Sequence, residues 1–308
     1  MEYAISRSKI DWREAARMAV EQNLSNRKIA EKFGVNESTI RRGLASMRVT
    51  RHLLPTDPPV AERLNIEWDK PIVVPKNDRY AITADWHIPL YDAEYANKFL
   101  QDSRARGITK LIIAGDFFNF DALSMYEPKQ ELGGLEAEVA EAGMVMHTLL
   151  QSFDTVYFLW GNHDARLHKA LGFAMKFQEA MKLVFGPLDR EELDRIRFTN
   201  LDHMWVGDED EEGRWYICHP GSYTRVPLST ARTLSTKYEC NVITAHSHHC
   251  AVGYGINAKN VVAEIGGLFD REKTGYLQRT TTYPTWAQGY AFLDEGRLYV
   301  QSPGWQVG

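Results

Sequence analysis

Asn162, His163 and Asp164 stand in succession just after the apolar run Thr155-Val156-Tyr157-Phe158-Leu159, with Arg166 two residues further on. An amide, an imidazole and a carboxylate in a row offer a metal ligand, a proton donor and an orienting acceptor. The guanidinium adds a positive fork for a phosphate. One such triplet is weak evidence, but four other apolar runs end the same way. They deliver Asp85-Trp86-His87, Gly115-Asp116, His219 and His246-Ser247-His248. A single buried histidine is more often a satisfied core residue than a ligand, and an aspartate after a strand is often a cap. Five such ends together are hard to explain as five unrelated accidents. The donors are carboxylate, imidazole and amide with no thiolate, which suits a pair of divalent ions such as Mn, Fe, Zn or Ni. A carboxylate bridging two ions about 3.5 to 4 Å apart lets both polarise a phosphoryl oxygen and generate a hydroxide, which is hydrolysis of a phosphate ester.

Short strands must carry these residues. Arg79 to Ala84 and Lys110 to Ala114 read as strands, with a helix from Asp92 to Arg106 between them, and strand-helix-strand implies a parallel pair joined by a right-handed crossover. Gly134 to Phe153 reads as a long amphipathic helix with Leu135, Val139, Ala142, Met146, Leu149 and Leu150 inward, so the unit repeats before the strand that presents Asn162. In an open α/β sheet the carboxyl ends of the strands converge on one edge, where separated residues can meet. Residues 165 to 200 read as helical, their Phe and Met stripes forming a packing face. Asp208 to Gly213 reads as an exposed hairpin loop rather than a calcium site. A helix from Thr230 to Tyr238 and a hairpin of Tyr290–Leu293 with Arg297–Val300 complete the pattern.

The net charge of −5 hides an asymmetry: residues 1 to 51 hold 11 Lys and Arg against 6 Asp and Glu, +5, which leaves −10 for the rest. A basic end suggests an anionic partner for that segment. Within it, apolar residues recur at helical spacing from Asp11 to Asn23. Ser25 can cap a second helix, Asn26 to Phe33, that exits at Gly34, and Asn36 can open a third with Ile40 and Leu44 inward. Ile29-Ala30, Phe33-Gly34-Val35 and Ser38-Thr39-Ile40-Arg41-Arg42 resemble a helix-turn-helix of the homeodomain-like or resolvase-like kind. That resemblance implies DNA as a partner, read by Ser38, Thr39, Arg41 and Arg42. The other reading is a three-helix docking or oligomerisation module with solvated arginines. Residues 52 to 78, with Pro55, Pro58, Pro59, Pro71 and Pro75, read as a linker, which divides the chain into 1–51, 52–78 and 79–308. Cys218, Cys240 and Cys250 show no Cys-x-x-Cys spacing, so neither a disulfide framework nor a thiolate zinc site is expected. No run resembles a signal peptide or a membrane span, and a soluble, cytoplasmic protein without a membrane partner is expected; the oligomeric state is left open.

Asp85-x-His87, Gly115-Asp116, Gly161-Asn162-His163-Asp164, His219 and His246-x-His248, in this order, resemble the calcineurin-like metallophosphoesterase superfamily over residues 79 to 300. The resemblance implies a four-layer α/β sandwich with a dinuclear centre, preceded here by the small all-α module. It implies that Asp85, His87 and His248 hold one ion, that Asn162, His219 and His246 hold the other, and that Asp116 bridges them. Manganese is the expected metal, with iron, zinc or nickel as alternatives. His163 would stabilise or protonate the leaving oxygen, Asp164 would orient its ring, and Arg166 would face the substrate phosphate. The family usually has Gly-His-x-His where this chain has Ala245-His246-Ser247-His248, and often Gly where Pro220 follows His219; neither departure removes a ligand. His147, His168, His203 and His249 match no motif position, and Tyr223, Arg225 and Asn119 lie near motif residues without belonging to them. A phosphodiesterase or nuclease brought to DNA by its helical module is the expected function. The alternatives are a phosphomonoesterase or protein phosphatase localised by that module, and a DNA-binding regulator on an inactive scaffold, which the complete ligand set argues against.

Overall fold

The computed structural model describes residues 10–22, 24–47, 69–124, 133–274 and 286–307. The chain divides into two compact units, Met1–Trp68 and Asp69–Gly308. The prolines Pro55, Pro58 and Pro59, and with them most of the expected linker, lie outside the described residues.

Among the described residues of the first unit, three helices enclose a small core. Helix α1, Trp12–Val20, starts where the Asp11 carboxylate accepts the amides of Arg13 and Glu14, and α2, Asn26–Phe33, starts where Ser25 accepts that of Lys28. Each cap satisfies amides that have no partner inside the helix. Gly34 ends α2 with φ 64°, a left-handed conformation that a Cβ would disfavour. Helix α3, Glu37–Ser46, follows Asn36, whose side chain makes no capping bond. Ala15, Met18, Ala19, Ile29, Ala30, Ile40 and Leu44 are buried together. Gly43 is required by packing: a Cβ there would overlap the Trp12 indole. Arg41 and Arg42 are exposed, whereas Ser38 and Thr39 are half-buried.

The second unit contains, in chain order, β1 (Ile72–Val74), β2 (Arg79–Thr83), α4 (Ala93–Ala105), β3 (Lys110–Ala114), α5 (Gly134–Leu150), β4 (Thr155–Leu159), α6 (Ala165–Ala170), α7 (Phe177–Val184), α8 (Arg190–Asp194), β5 (Ile196–Phe198), β6 (His203–Val206), β7 (Trp215–Cys218), α9 (Ser229–Tyr238), β8 (Asn241–Thr244), β9 (Cys250–Tyr254), β10 (Val261–Ile265), β11 (Tyr290–Asp294), β12 (Arg297–Ser302) and β13 (Trp305–Val307). The strands form two mixed sheets: a seven-stranded one in the order β13-β12-β11-β2-β3-β4-β5 and a six-stranded one in the order β1-β6-β7-β8-β10-β9. Strands β2, β3 and β4 run parallel, as do β7 and β8.

Alternation along the strands builds the layers. In β3, Ile112 and Ala114 join Tyr80, Ile82 and Leu159 in a core whose other half is Val206, Trp215, Ile217, Ile243 and Ile265 of the six-stranded sheet. Leu111 and Ile113, on the opposite face, meet Phe99 of α4, Met146 and Leu149 of α5 and Met181 of α7. Behind the six-stranded sheet, Tyr216, Val242 and Val262 pack on Ala231 and Leu234 of α9. The result is helices, sheet, sheet, helix, in agreement with the four-layer expectation.

Two local differences from the sequence reading have simple causes. Ile72–Val74 falls inside the stretch read as linker, yet it pairs parallel to Met204–Val206, because three residues give too short a pattern to register against flanking prolines. Ile196–Phe198, inside the stretch read as helical, adds to the edge of β4. Among the described residues no helix is long and apolar enough to cross a membrane.

Candidate metal centre

Each of the five apolar runs is a strand, and the residues at their carboxyl ends meet. The runs come from both sheets rather than from one open edge: β2, β3 and β4 supply Asp85, His87, Asp116, Asn162 and His163, while β7 and β8 lead to His219, His246 and His248. Backbone bonds lock the loops together. Trp86 and His87 both donate to the Asp116 carbonyl, at 2.9 and 3.1 Å, and the His246 amide crosses between sheets to Asp85 Oδ2 at 3.2 Å.

Three groups of side chains converge closely enough for each to surround an ion: Asp85, His87 and His248; Asp116, His219 and His246; and His87, Asp116 and His163. In the first, the Nε2 atoms of His87 and His248 face each other at 3.1 Å, with Asp85 Oδ1 at 3.2 Å from His248 and 3.8 Å from His87. In the second, His219 Nε2 lies 3.3 Å from Asp116 Oδ2 and 3.1 Å from Asn162 Oδ1. His219 Nδ1 faces the Ala114 carbonyl at 2.9 Å, and a carbonyl can only accept, so Nδ1 carries the proton. Nε2 then faces two oxygens, a contact that either a second ring proton or a cation lying among them reconciles. The residues present therefore fit a pair of divalent ions.

Electrostatics express the same demand. Burial opposes charge on His219, but Asp116 outweighs it and carries the ring up to about 10. Burial likewise opposes ionisation of Asp116, yet His219 and His163 hold its carboxyl well below the usual range. Burial pulls His246 down to about 4, with the neighbouring His219 adding to the effect. Asp85, His87 and Asp116 are buried, and Asp85 Oδ1 and the Nδ1 atoms of His87 and His248 are buried without a hydrogen-bond partner.

The backbone is bent to make this convergence. Asp85, His87, Asp116, His246 and His248 have φ of 48°, 48°, 50°, 71° and 54°, left-handed values that cost non-glycine residues about 1 to 3 kcal/mol each. Glycines occupy the tightest points. A Cβ on Gly161 would overlap the Asp116 carboxylate, and one on Gly115 (φ 87°) would lie 2.6 Å from His219 Nδ1.

His163 lies beside this centre, its ring 4.5 Å from that of His87, and its amide donates to Asp116 Oδ1 at 2.7 Å. Its orienting partner differs from the expected one. His163 Nδ1 pairs with the Asn119 carbonyl at 2.8 Å, while the Asp164 carboxylate accepts the amides of Phe118 and Gly161 at 3.0 and 2.9 Å. Asp164 thus staples the loops after β3 and β4 and does not orient the His163 ring. The reason is geometric: Asp164 is in helical conformation at the start of α6, which turns its side chain inward beneath the loop. Burial and the nearby Asp116 raise its carboxyl to about 7. Arg166 reaches the Asn119 carbonyl at 2.8 Å, Asp121 at 2.9 Å and His163 Nε2 at 3.2 Å.

Other residues sort themselves by contact. Tyr223 is half exposed, its ring edge-on to His246 at 5.0 Å, and Trp286 stands 4.2 Å from His248. His249 pairs with buried Glu264, His168 with the Met175 carbonyl, His203 with Asp202 and His147 with Glu192 on the surface. Buried Glu138 on α5, which no motif signals, accepts the amides of Asn119 and Phe120.

Solved structures to which the chain is similar include Vps29 from Chaetomium thermophilum (10% identity, TM-score 0.39, 74% of this chain and 88% of that one). Others are the phosphoesterase Yfce from E. coli (12%, 0.38, 74% and 98%) and Vps29 from Cryptosporidium parvum (13%, 0.40, 75% and 98%). No curated protein matches the chain. The model of the calcineurin-like phosphoesterase family matches residues 79–288, more than half of the chain and the whole span from β2 to the residues just before β11. With a donor set built for divalent ions inside that span, the chain belongs to the calcineurin-like phosphoesterase family and is a metal-dependent phosphoric ester hydrolase.

Proposed function

We propose that the chain is a phosphodiesterase acting on nucleic acid, with two divalent ions, manganese first among the candidates, in the centre described above. Asp85, His87 and His248 would hold one ion, Asn162, His219 and His246 the other, and Asp116, the one residue in two of the three groups besides His87, would serve both. When bound, such ions polarise the phosphoryl oxygens and make water a better nucleophile at neutral pH. Water adds its oxygen to phosphorus, the bond from phosphorus to the leaving oxygen breaks, and the proton lost by water passes to solvent.

The chain's own residues serve the other end of the reaction. With Nδ1 donating to the Asn119 carbonyl and Nε2 accepting from Arg166, His163 would take up at Nε2 a proton from solvent, where water has released one, and pass it to the leaving oxygen. Arg166 brings a guanidinium to the same side, where an N–H beyond those turned to Asn119, Asp121 and His163 would donate to a phosphate oxygen. The observation that carries this reading is the His219 geometry, with Nδ1 donating to the Ala114 carbonyl behind and Nε2 turned on Asp116 and Asn162 in front, beside His246.

Nucleic acid as the substrate is supported by the basic 1–51 segment and by exposed Arg41 and Arg42 on α3, the third helix of what we read as a helix-turn-helix. Manganese-loaded protein should hydrolyse bis(4-nitrophenyl) phosphate. Metal uptake without turnover of that diester or of 4-nitrophenyl phosphate contradicts the catalytic reading, and turnover of the monoester alone favours a phosphomonoesterase.

A further inference from the structure

His163 and Arg166 share one anchor, the carbonyl of Asn119, at 2.8 Å from each. That peptide lies in an irregular stretch: Phe120 has φ 47°, left-handed for a bulky residue, and only a short 3-10 turn, Asp121–Leu123, follows. What holds it is a carboxylate from another element. Glu138 Oε1 on α5 accepts the amide of Asn119 at 2.9 Å and that of Phe120 at 2.6 Å. Glu138 is 3% exposed, on a helix whose other inward residues are apolar or glycine. Core packing has no use for a carboxylate there, and burying one is costly unless it is fully hydrogen-bonded.

We propose that Glu138 is a positioning residue for the leaving-group side of the reaction: by fixing the 119–120 peptide it sets the Asn119 carbonyl, and through it the His163 ring and the Arg166 guanidinium. The inference rests on His163 acting as proton donor to the leaving oxygen. The hydrogen bonds of Glu138 run to the 119–120 backbone and not to a metal-ligand side chain. Because a single oxygen accepts both amides, an amide side chain in its place keeps the acceptor and drops only the charge.

The test uses leaving groups. A 4-nitrophenolate departs without a proton, whereas the sugar hydroxyl of a DNA dinucleotide needs one. Glu138→Ala should lower kcat on the dinucleotide by about 100-fold, the scale of losing a placed proton donor, with a much smaller loss on bis(4-nitrophenyl) phosphate and unchanged metal content. Glu138→Gln should restore most of the dinucleotide rate. His163→Ala sets the reference contrast. Equal losses on both substrates, an unaffected dinucleotide rate, or failure of Glu138→Gln to recover would each overturn the assignment. If Glu138→Ala does not fold, Glu138→Asp, which draws the acceptor back by one methylene, gives the same contrast. Should the enzyme hydrolyse monoesters only, the diester reading falls by itself, and 4-nitrophenyl phosphate against an alkyl phosphate still decides the role of Glu138.

Discussion

His219 and His163 are both imidazoles with Nδ1 tied to a backbone carbonyl, yet their Nε2 atoms face opposite tasks. That of His219 faces the oxygens of Asp116 and Asn162; that of His163 accepts from Arg166. Replacing each should therefore fail differently. Asp116→Ala, which removes the carboxylate common to two donor groups, should lose bound metal and turnover together. His163→Ala should keep its metal and lose about 100-fold or more in rate on substrates with poor leaving groups. Metal analysis beside kinetics separates the two, and loss of metal in His163→Ala would contradict the division. Glu138 gives a residue-scale prediction in pH. Burial raises its carboxyl from 4.5 to about 7, against the two backbone amides and helped by Asp121 and Asp164. A folded pKa above the unfolded one contributes stability that is complete below pH 4.5 and lost as pH rises through about 7. Glu138→Gln has no such titration, so the Tm of the variant relative to wild type should rise between pH 5 and 8. A difference independent of pH would contradict it.

The elements act by ending where they do. Three parallel strands of one sheet and two of the other stop at a common point, and left-handed turns at Asp85, His87, Asp116, His246 and His248 swing the side chains inward. Gly161 allows the loop after β4 to press against Asp116. Gly161→Ala, which forces a Cβ into that carboxylate, should abolish metal binding while thermal unfolding remains cooperative; calorimetric titration with Mn2+ checks it, and wild-type affinity would contradict it. The order of strand, acidic or histidine end, helix was legible in the sequence because each apolar run stops abruptly at a polar donor. The pairing of Asp85 with His87 and His248 was legible through the resemblance. The roles of Asp164 and Glu138 were not, since a side chain that bonds a distant backbone amide leaves no periodic trace: Asp164 sits within the motif and was read as facing His163, and Glu138 looks like one more solvated helix glutamate. β1 and β5 were missed because three-residue edge strands carry almost no alternation.

At the scale of the whole molecule, charge separates the ends of the chain: +5 in residues 1–51 against −10 in the remainder. If the helical unit is what meets DNA, removing residues 1–51 should weaken DNA binding and flatten its salt dependence, while turnover of bis(4-nitrophenyl) phosphate is kept. Unchanged affinity would assign that unit to another partner. Metal-dependent cleavage of nucleic acid diesters is tested most directly by incubating the full chain with Mn2+ and end-labelled single- and double-stranded DNA. Internal cleavage, absent with chelator and in Asp116→Ala, is the expected result. Intact DNA beside rapid release of phosphate from a mononucleotide would contradict it.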